Sequence, residues 1–322
     1  MWVLNLVIVN HGVRGMHRGF SCLLAACSVI AAFAGAAAAD DESPRLVVST
    51  NRFGGSDLIS LDVKGKNVTR LTKDLASATE PCWSPDGKRI AFASHVEGGS
   101  RLQWLDVGSL SVAPFDNSPA NDRNACWSHD GKKLAFTSDR GGNPDVYVMD
   151  ADGKNVVNLT NDPSYDADPA CSPDGTRIAF ASNRTGSFRL WMMKADGTQP
   201  VDLLNKDQIY ALYPTWSPDS QQLVFGGRGA DNTIQLFVVN SDGKSPAEQL
   251  TEGAAMNTYA AWSPDGQYLA YARFASAQVD NNTGARGDLM IYDMIEATHT
   301  AILTGELPVV GPRPCWQRCT PQ

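Results

Sequence analysis

One phrase recurs along this chain at nearly constant spacing. Its five fuller copies share a Ser-(Pro or His)-Asp-(Gly or Ser) turn and begin at Trp83, Trp127, Cys171, Trp216 and Trp262. A shorter sixth copy ends in Trp316, and successive copies are 44, 44, 45, 46 and 54 residues apart. A period of about 40–50 residues is typical of repeat architectures, so the content of one repeat decides the fold.

Each repeat contains four short apolar runs separated by turn sequences. In residues 169–204 these runs are Ala170–Ser172, Arg177–Ala181, Arg189–Met193 and Val201–Leu204. Pro173-Asp-Gly175 and Ala195-Asp-Gly197 between them are typical of tight turns. No repeat has the 3.6-residue apolar period of a helix. The pattern predicts a four-stranded blade of a β-propeller.

The two ends of the repeat region determine the number of blades. Residues 45–49, 57–61 and 68–72 match strands two, three and four of a blade that has no first strand. The segment ending at Trp316 matches a first strand with nothing after it. Joining the two ends covers two exposed sheet edges. We therefore predict an all-β, six-bladed propeller in which the N-terminal strands and the C-terminal strand share one blade.

The segment before the repeats has the pattern of a secretory signal peptide. A basic His17-Arg18 pair precedes an uncharged apolar run over residues 20–39, which ends in small residues. We predict a signal peptide over 1–39, a short linker over 40–44, the propeller over 45–318 and a tail over 319–322. Three alternatives stay open: a retained membrane anchor, a lipoprotein modified at Cys27, and translation from Met16 rather than Met1.

The charge of the chain excludes some classes of partner. Removal of Arg14 and Arg18 with the leader changes the formal net charge from −8 to −10. An acidic surface disfavours nucleic acid and anionic membrane surfaces, because both need a basic face. We expect neither partner, and no membrane span in the mature chain.

Five cysteines follow the leader, which leaves at least one outside any intramolecular pair. Cys82, Cys126 and Cys315 occupy the same repeat position, so rotation about the axis keeps them from facing one another. Cys171 stands one position later, where other repeats have Trp. Cys126–Cys171 is therefore the bridge that the symmetry suggests, and the alternative is that all five, including Cys319, are small buried apolar residues.

The loops point to one end of the ring as the functional surface. Turns between strands one and two, and between strands three and four, are short and alike, whereas the connections at the other end vary in length and composition. At that end, three residues before each Trp position, we expect the chain to enter the innermost strand of each blade; the residues there are Glu80, Asn124, Asp168, Tyr213, Tyr259 and Arg313. We expect these residues to crowd the channel mouth and bind a partner or ligand. The alternative is that they only end strands and bind channel water.

Motifs of catalysis are absent from the sequence. It has no Gly-x-Ser-x-Gly elbow, no His-x-x-x-His or Cys-x-x-Cys metal spacing and no phosphate loop. We predict no catalytic residue, no metal site and no cofactor.

The repeat phrase, with Asp145–Gly153 and Asn158–Asp162 after it, resembles the WD40-like (PD40) repeat of the TolB propeller family. The resemblance covers about residues 45–318. It implies a periplasmic protein that binds a protein or cell-envelope component, such as a peptidoglycan-associated lipoprotein. The α/β domain that precedes the propeller in TolB has no counterpart between the expected cleavage site and the first strand.

Three functional hypotheses follow. The first is a non-catalytic secreted binding module with a role related to the Tol–Pal system. The second is a metal-dependent polysaccharide-acting enzyme, since some lyases with this repeat hold a metal in the channel. That chemistry needs several histidines at the mouth, and only His95 is expected on a variable loop. The third is a scaffold subunit of a larger envelope complex.

Overall fold

The computed structural model describes residues 44–75, 77–204, 210–229, 231–275, 287–307 and 312–317. In chain order its strands are β1 (Leu46–Thr50), β2 (Asp57–Leu61), β3 (Thr69–Arg70), β4 (Thr79–Trp83), β5 (Arg89–Val96), β6 (Gly99–Asp106), β7 (Val112–Pro114), β8 (Arg123–Trp127), β9 (Lys133–Ser138), β10 (Asp145–Asp150), β11 (Val157–Asn158) and β12 (Asp166–Cys171). They continue as β13 (Arg177–Ser182), β14 (Arg189–Lys194), β15 (Val201–Asp202), β16 (Ala211–Trp216), β17 (Gln222–Arg228), β18 (Ile234–Asn240), β19 (Glu248–Gln249), β20 (Met256–Trp262), β21 (Tyr268–Phe274), β22 (Gly287–Asp293), β23 (Thr298–Leu307) and β24 (Cys315–Trp316).

These strands form six antiparallel sheets of four strands each. Blade 1 has the order β24-β1-β2-β3, and blades 2 to 6 are β4–β7, β8–β11, β12–β15, β16–β19 and β20–β23. The predicted six-bladed, all-β propeller is confirmed. The described residues include no helix, and hence none that is suited to crossing a membrane.

The ring closes through blade 1, as the sequence predicted. Leu46 of β1 lies opposite Trp316 of β24, and Val47 lies opposite Cys315. Beyond this pair, the Gln317 N–H donates to the Arg45 carbonyl at 2.7 Å. The first strands of neighbouring blades contact one another around the ring, including β20 with β24 and β24 with β4. These first strands therefore surround the axis.

The repeat phrase builds the turn between the first and second strands of blades 2 to 6. In blade 2 the Ser84 hydroxyl donates to the Asp86 carboxylate at 2.6 Å and accepts from the Arg89 N–H at 2.9 Å. Gly87 closes the turn with a φ of 67°, in the left-handed region that glycine enters at little cost. Ser220 takes this position in blade 5 with a φ of 60°, and its hydroxyl accepts from the Asp174 N–H of blade 4.

The Trp of the phrase joins neighbouring blades. The Trp127 indole N–H donates to the Cys82 carbonyl of the preceding blade at 3.2 Å. Trp216 donates to Ala170 in the same way at 2.9 Å, and Trp316 donates to Ala261 at 3.1 Å. All three indoles are buried. At these three positions the Trp therefore combines a large apolar contact with a satisfied polar atom between blades, whereas the buried indole N–H groups of Trp83 and Trp262 have no hydrogen-bond partner in the described part of the chain.

A disulfide takes the place of this indole contact between blades 3 and 4. Cys171 stands at the Trp position of blade 4 and is bonded to Cys126 of blade 3, with Cα atoms 6.0 Å apart. The bridge that the repeat symmetry suggested is thereby confirmed. The expected leader over 1–39, with Met16 and Cys27, and the tail with Cys319 all lie outside the described residues.

Candidate functional site

The six residues expected at the channel mouth, which we call the axial ring, include five with the same unusual backbone conformation. Five of them have positive φ values: 55° at Glu80, 54° at Asn124, 55° at Asp168, 54° at Tyr213 and 55° at Tyr259. The pairing of each of these first strands with its neighbour shifts register at that point, for example between Ala167 and Ala170. A bulge of this kind redirects one side chain at the same place in each blade.

Five of the six axial-ring residues lie inside the first strands and not at their entry, which corrects one expectation, whereas Arg313 precedes β24 as expected. We predicted that the chain enters its innermost strand three residues before the Trp position. In blade 4, however, β12 already begins at Asp166, two residues before Asp168. The physical reason is the bulge, which interrupts the ladder at Asp168 without ending the strand.

Side chains of the axial ring are largely buried and interact across blades. Asn124, Asp168 and Tyr259 are only 3%, 5% and 9% exposed. The Tyr213 and Tyr259 rings have centroids 4.2 Å apart, and the Glu80 carboxylate accepts from the Asn124 N–H at 2.8 Å. The Arg313 guanidinium donates to the Pro214 carbonyl at 3.4 Å. The structure thus brings the six predicted residues together as one cluster at the axis.

The electrostatics of the cluster follow from its burial. Burial raises the pKa of the Asp168 carboxyl to about 6; the cations Arg313 and Arg123 oppose this rise, and the Glu80 charge adds to it. Burial likewise raises the pKa of Tyr259 to about 12 and raises that of Tyr213. Both phenols are therefore neutral at pH 7 and serve as hydrogen-bonding groups, while Asp168 changes charge near pH 6.

Asp168→Asn tests this electrostatic account. The raised folded-state pKa means that the folded state binds more protons than the unfolded state between about pH 4 and pH 6. Stability then falls as pH rises through this window, by about 3 kcal/mol for a shift of about two units. We expect Asp168→Asn to remove this loss, so that the variant is the more stable protein at pH 7.5 and similar to the parent at pH 4.

Urea unfolding at pH 4, 5, 6 and 7.5 measures the effect. Asp116→Asn is the control, because the Asp116 carboxyl is more exposed than that of Asp168 and lies outside the axial ring. A higher free energy of unfolding for the parent protein than for Asp168→Asn at pH 7.5 would show that the ionised carboxylate stabilises the fold, contrary to this account.

An aromatic row that sequence reasoning missed adjoins the axial ring. Tyr165 and Phe188 have ring centroids 5.3 Å apart, and Phe188 and Tyr210 have centroids 6.0 Å apart, both edge to face. Arg123 donates to the Tyr165 hydroxyl, and the Arg228 guanidinium lies 4.9 Å from the Tyr210 ring centroid. Asp168 acts electrostatically on both Tyr165 and Tyr210, which places the row beside the ring. These rings belong to variable loops, so no repeat position revealed them.

An open cavity lies at the other end of the axis, where none was expected. Its volume is about 380 Å³, and its walls are the Trp, Cys and Pro side chains of the first strands and the prolines of the Ser-Pro-Asp-Gly turns. Arg313 is the one axial-ring residue that lines it. The two ends of the axis therefore differ: polar groups cluster at one, and an apolar cavity opens at the other.

The described residues show no group of three or more His, Cys, Asp or Glu side chains close enough to hold a metal ion. His95, expected on a variable loop, is instead a residue of β5, paired with Ser100 of β6. The loop connection here is only a tight turn, because β5 and β6 extend to Val96 and Gly99.

Comparison by sequence agrees with the resemblance drawn from the repeat phrase. Residues 117–213 match the family model described as the TolB beta propeller domain. No curated protein matches the chain by sequence. The matched segment contains β8 to β15, which are blades 3 and 4. The predicted resemblance to TolB-like propellers is thereby confirmed.

Several solved structures share the fold. TolB from Acinetobacter baumannii superposes with a TM-score of 0.69 at 22% identity, over 86% of this chain and 67% of that one. A putative TolB from Agrobacterium tumefaciens gives 0.69 at 20% identity, over 87% and 100%. Oligogalacturonate lyase from Vibrio parahaemolyticus gives 0.51 at 14% identity, over 80% and 72%. An enzyme thus shares this fold, so function has to be argued from the site.

Proposed function

We propose that this chain is a non-catalytic binding propeller of the cell envelope, which binds a protein partner at the end of the axis formed by the axial ring and the aromatic row. The proposal extends to a periplasmic location, reached through the signal peptide expected over 1–39. The acidic net charge of −8 accords with a partner other than nucleic acid or an anionic membrane surface.

One observation carries the proposal. Five blades place a polar or aromatic residue at the same bulged position, with φ values of 54–55° that Asn124 and Asp168 tolerate but that are costly for Glu80 and the two tyrosines. Strain repeated at one place in a rigid ring is typical of positions kept for function. The charges and phenols that result face one another across blades, as a single site to which every blade contributes.

The composition of the site suits a protein partner. Tyrosine and arginine are the side chains most enriched at the centres of protein interfaces, and this end offers both. Tyr213 is half-buried, as are the three rings of the aromatic row, so each keeps surface for a partner to cover. The sheets hold these groups in place, and little conformational entropy is lost on binding.

Binding to a purified peptidoglycan-associated lipoprotein without its lipid anchor tests the proposal. The variant Asp168→Asn/Tyr213→Phe/Tyr259→Phe keeps the shape of the ring but removes one carboxylate and two hydroxyls. We expect it to bind at least tenfold more weakly than the parent chain in biolayer interferometry, because it removes the Tyr213 hydroxyl, which a partner can reach, and the buried polar groups of Tyr259 and Asp168 that act on it.

His129→Pro is the matched control at the opposite end of the axis. It restores the proline that other repeats carry in the same turn, and it leaves the axial ring intact. We expect unchanged binding for this variant. Equal binding by the parent and the triple variant would disprove the role of the ring. Failure of the parent chain itself to bind would disprove this choice of partner.

A further inference from the structure

A second concave site lies between blades 5 and 6, away from the axis; we call it the interblade groove. Its volume is about 720 Å³, within the range of small-ligand sites. Blade 5 and the connection that leaves it supply Asp231, Glu252 and the backbone around Gly253, whereas β21 and β23 of blade 6 supply Tyr271, Arg273 and His299.

A buried glutamine holds the blade 5 side of the groove in shape. Gln235 is only 1% exposed, and its amide donates to the carbonyls of Gly253 and Ala255 at 2.8 and 3.0 Å. Its carbonyl oxygen accepts from the Thr251 hydroxyl and from the Asn257 amide, both at 2.8 Å. The loop that carries Glu252 is thereby fixed before any ligand arrives, which reduces the entropic cost of binding.

The blade 6 wall is cationic and aromatic. The Tyr271 hydroxyl lies 3.0 Å from His299 Nδ1, and the Tyr292 ring stacks on His299 with centroids 4.5 Å apart. Burial, reinforced by the Arg273 charge, lowers the pKa of His299, so this imidazole is neutral at pH 7. Arg273 is exposed, and among the described residues no carboxylate lies within ion-pair distance of its guanidinium.

The opposite wall carries negative charge. Glu252 is exposed, and within the described part of the chain it forms no ion pair. The Asp231 carboxylate accepts from the Thr233 N–H and hydroxyl through Oδ1, which fixes its orientation. The groove therefore has one cationic and one anionic side. A ligand with a single charge is repelled by one of the two walls, whereas a ligand with both charges is attracted by each.

We propose that the interblade groove binds a small zwitterionic ligand, a free amino acid or a short unblocked peptide. Its carboxylate pairs with Arg273, where a guanidinium can donate two parallel hydrogen bonds. Its ammonium lies toward Glu252 and Asp231. This site uses other residues than the axial ring, so it stands independently of the function proposed above.

Isothermal titration calorimetry of the whole chain at pH 7 tests the proposal, with the twenty free amino acids and unblocked trialanine as probes. We expect at least one probe to bind saturably. Acetylating the amino group of that probe, or amidating its carboxylate, is expected to weaken binding at least tenfold each. Arg273→Gln and Glu252→Gln are expected to do the same, because each removes one of the two charges from the groove.

Exposed charges elsewhere provide the controls. Glu97→Gln and Lys194→Gln, on blades 2 and 4, are expected to bind as the parent chain does. The axial-ring triple variant is also expected to bind normally, which separates this test from that of the proposed function. The proposal would be overturned if none of the probes bound saturably, or if the acetylated or the amidated probe bound as tightly as the free one.

Discussion

Replacing Trp316 by alanine is expected to lower the free energy of unfolding by about 3–5 kcal/mol, the usual range for a buried tryptophan. The side chain is 5% exposed and packs with Leu46, Ile59 and Tyr259 in one apolar cluster. Its indole N–H also donates to the Ala261 carbonyl of blade 6. Because β24 has only two residues, the substitution truncates one of the two side chains that anchor the strand closing the ring.

Trp216→Ala is the matched control, since Trp216 is equally buried and makes the same indole contact within an internal blade. Urea unfolding is expected to show similar losses for both variants. Limited proteolysis should separate them: only Trp316→Ala is expected to expose cleavage sites in residues 44–72, because only there does a chain end lose its partner strand. Equal protection of this segment in both variants would contradict the role of Trp316 in closure.

Loss of the Cys126–Cys171 bridge is the other change for which we expect a large effect. The bond joins residues 45 apart in sequence, and closing a loop of that length stabilises the folded state by about 4 kcal/mol in the chain-entropy account. The variant Cys126→Ala/Cys171→Ala is therefore expected to melt about 10 °C below the oxidised parent. The loss has a local cause as well, since blade 4 lacks the indole hydrogen bond that the Trp residues of blades 1, 3 and 5 make to the preceding blade.

Thermal unfolding with and without dithiothreitol measures this effect. The parent chain is expected to lose more stability on reduction than the double variant does, and any change in the double variant measures the effect of the reductant on the other cysteines. The variant thereby controls for Cys82, Cys315 and Cys319, which it retains. A parent chain that melts at the same temperature after verified reduction would show that the bridge constrains the unfolded chain less than its length implies.

The fold was predictable because the same physical signals recur in every repeat. The Ser-Pro-Asp-Gly turn specifies its own hydrogen bonds, as at Ser84 and Asp86, and five copies of the turn locate five first strands. The N-terminal blade lacks a first strand and the C-terminal segment supplies one, so the two ends are expected to pair with each other. The symmetry also suggested which cysteines form the disulfide, since Cys171 stands one position later in its repeat than Cys126 does and can therefore face it.

The site was predictable in position but not in conformation. Counting back from each Trp located Asp168 and its equivalents, yet nothing in Asp or Tyr signals a positive φ in the way that Gly does. The aromatic row was not predicted from the sequence, because Tyr165, Phe188 and Tyr210 come from separate loops that are brought together only in the folded structure. The interblade groove was not predicted for a similar reason: Gln235 and Arg273 do not belong to the residues that recur from repeat to repeat.

The pairing of β1 with β24 sets the order in which this molecule can be completed. Leu46 and Trp316 are 270 residues apart along the chain, so the earliest strands to emerge during synthesis wait for the last ones. Until then, blade 1 lacks its innermost strand, and its open edge is able to pair with another chain. Such distant contacts also slow folding. Until β24 is added, the open edge of blade 1 makes the chain prone to aggregate. Chaperones that cover exposed strand edges are therefore needed most at this late stage of folding.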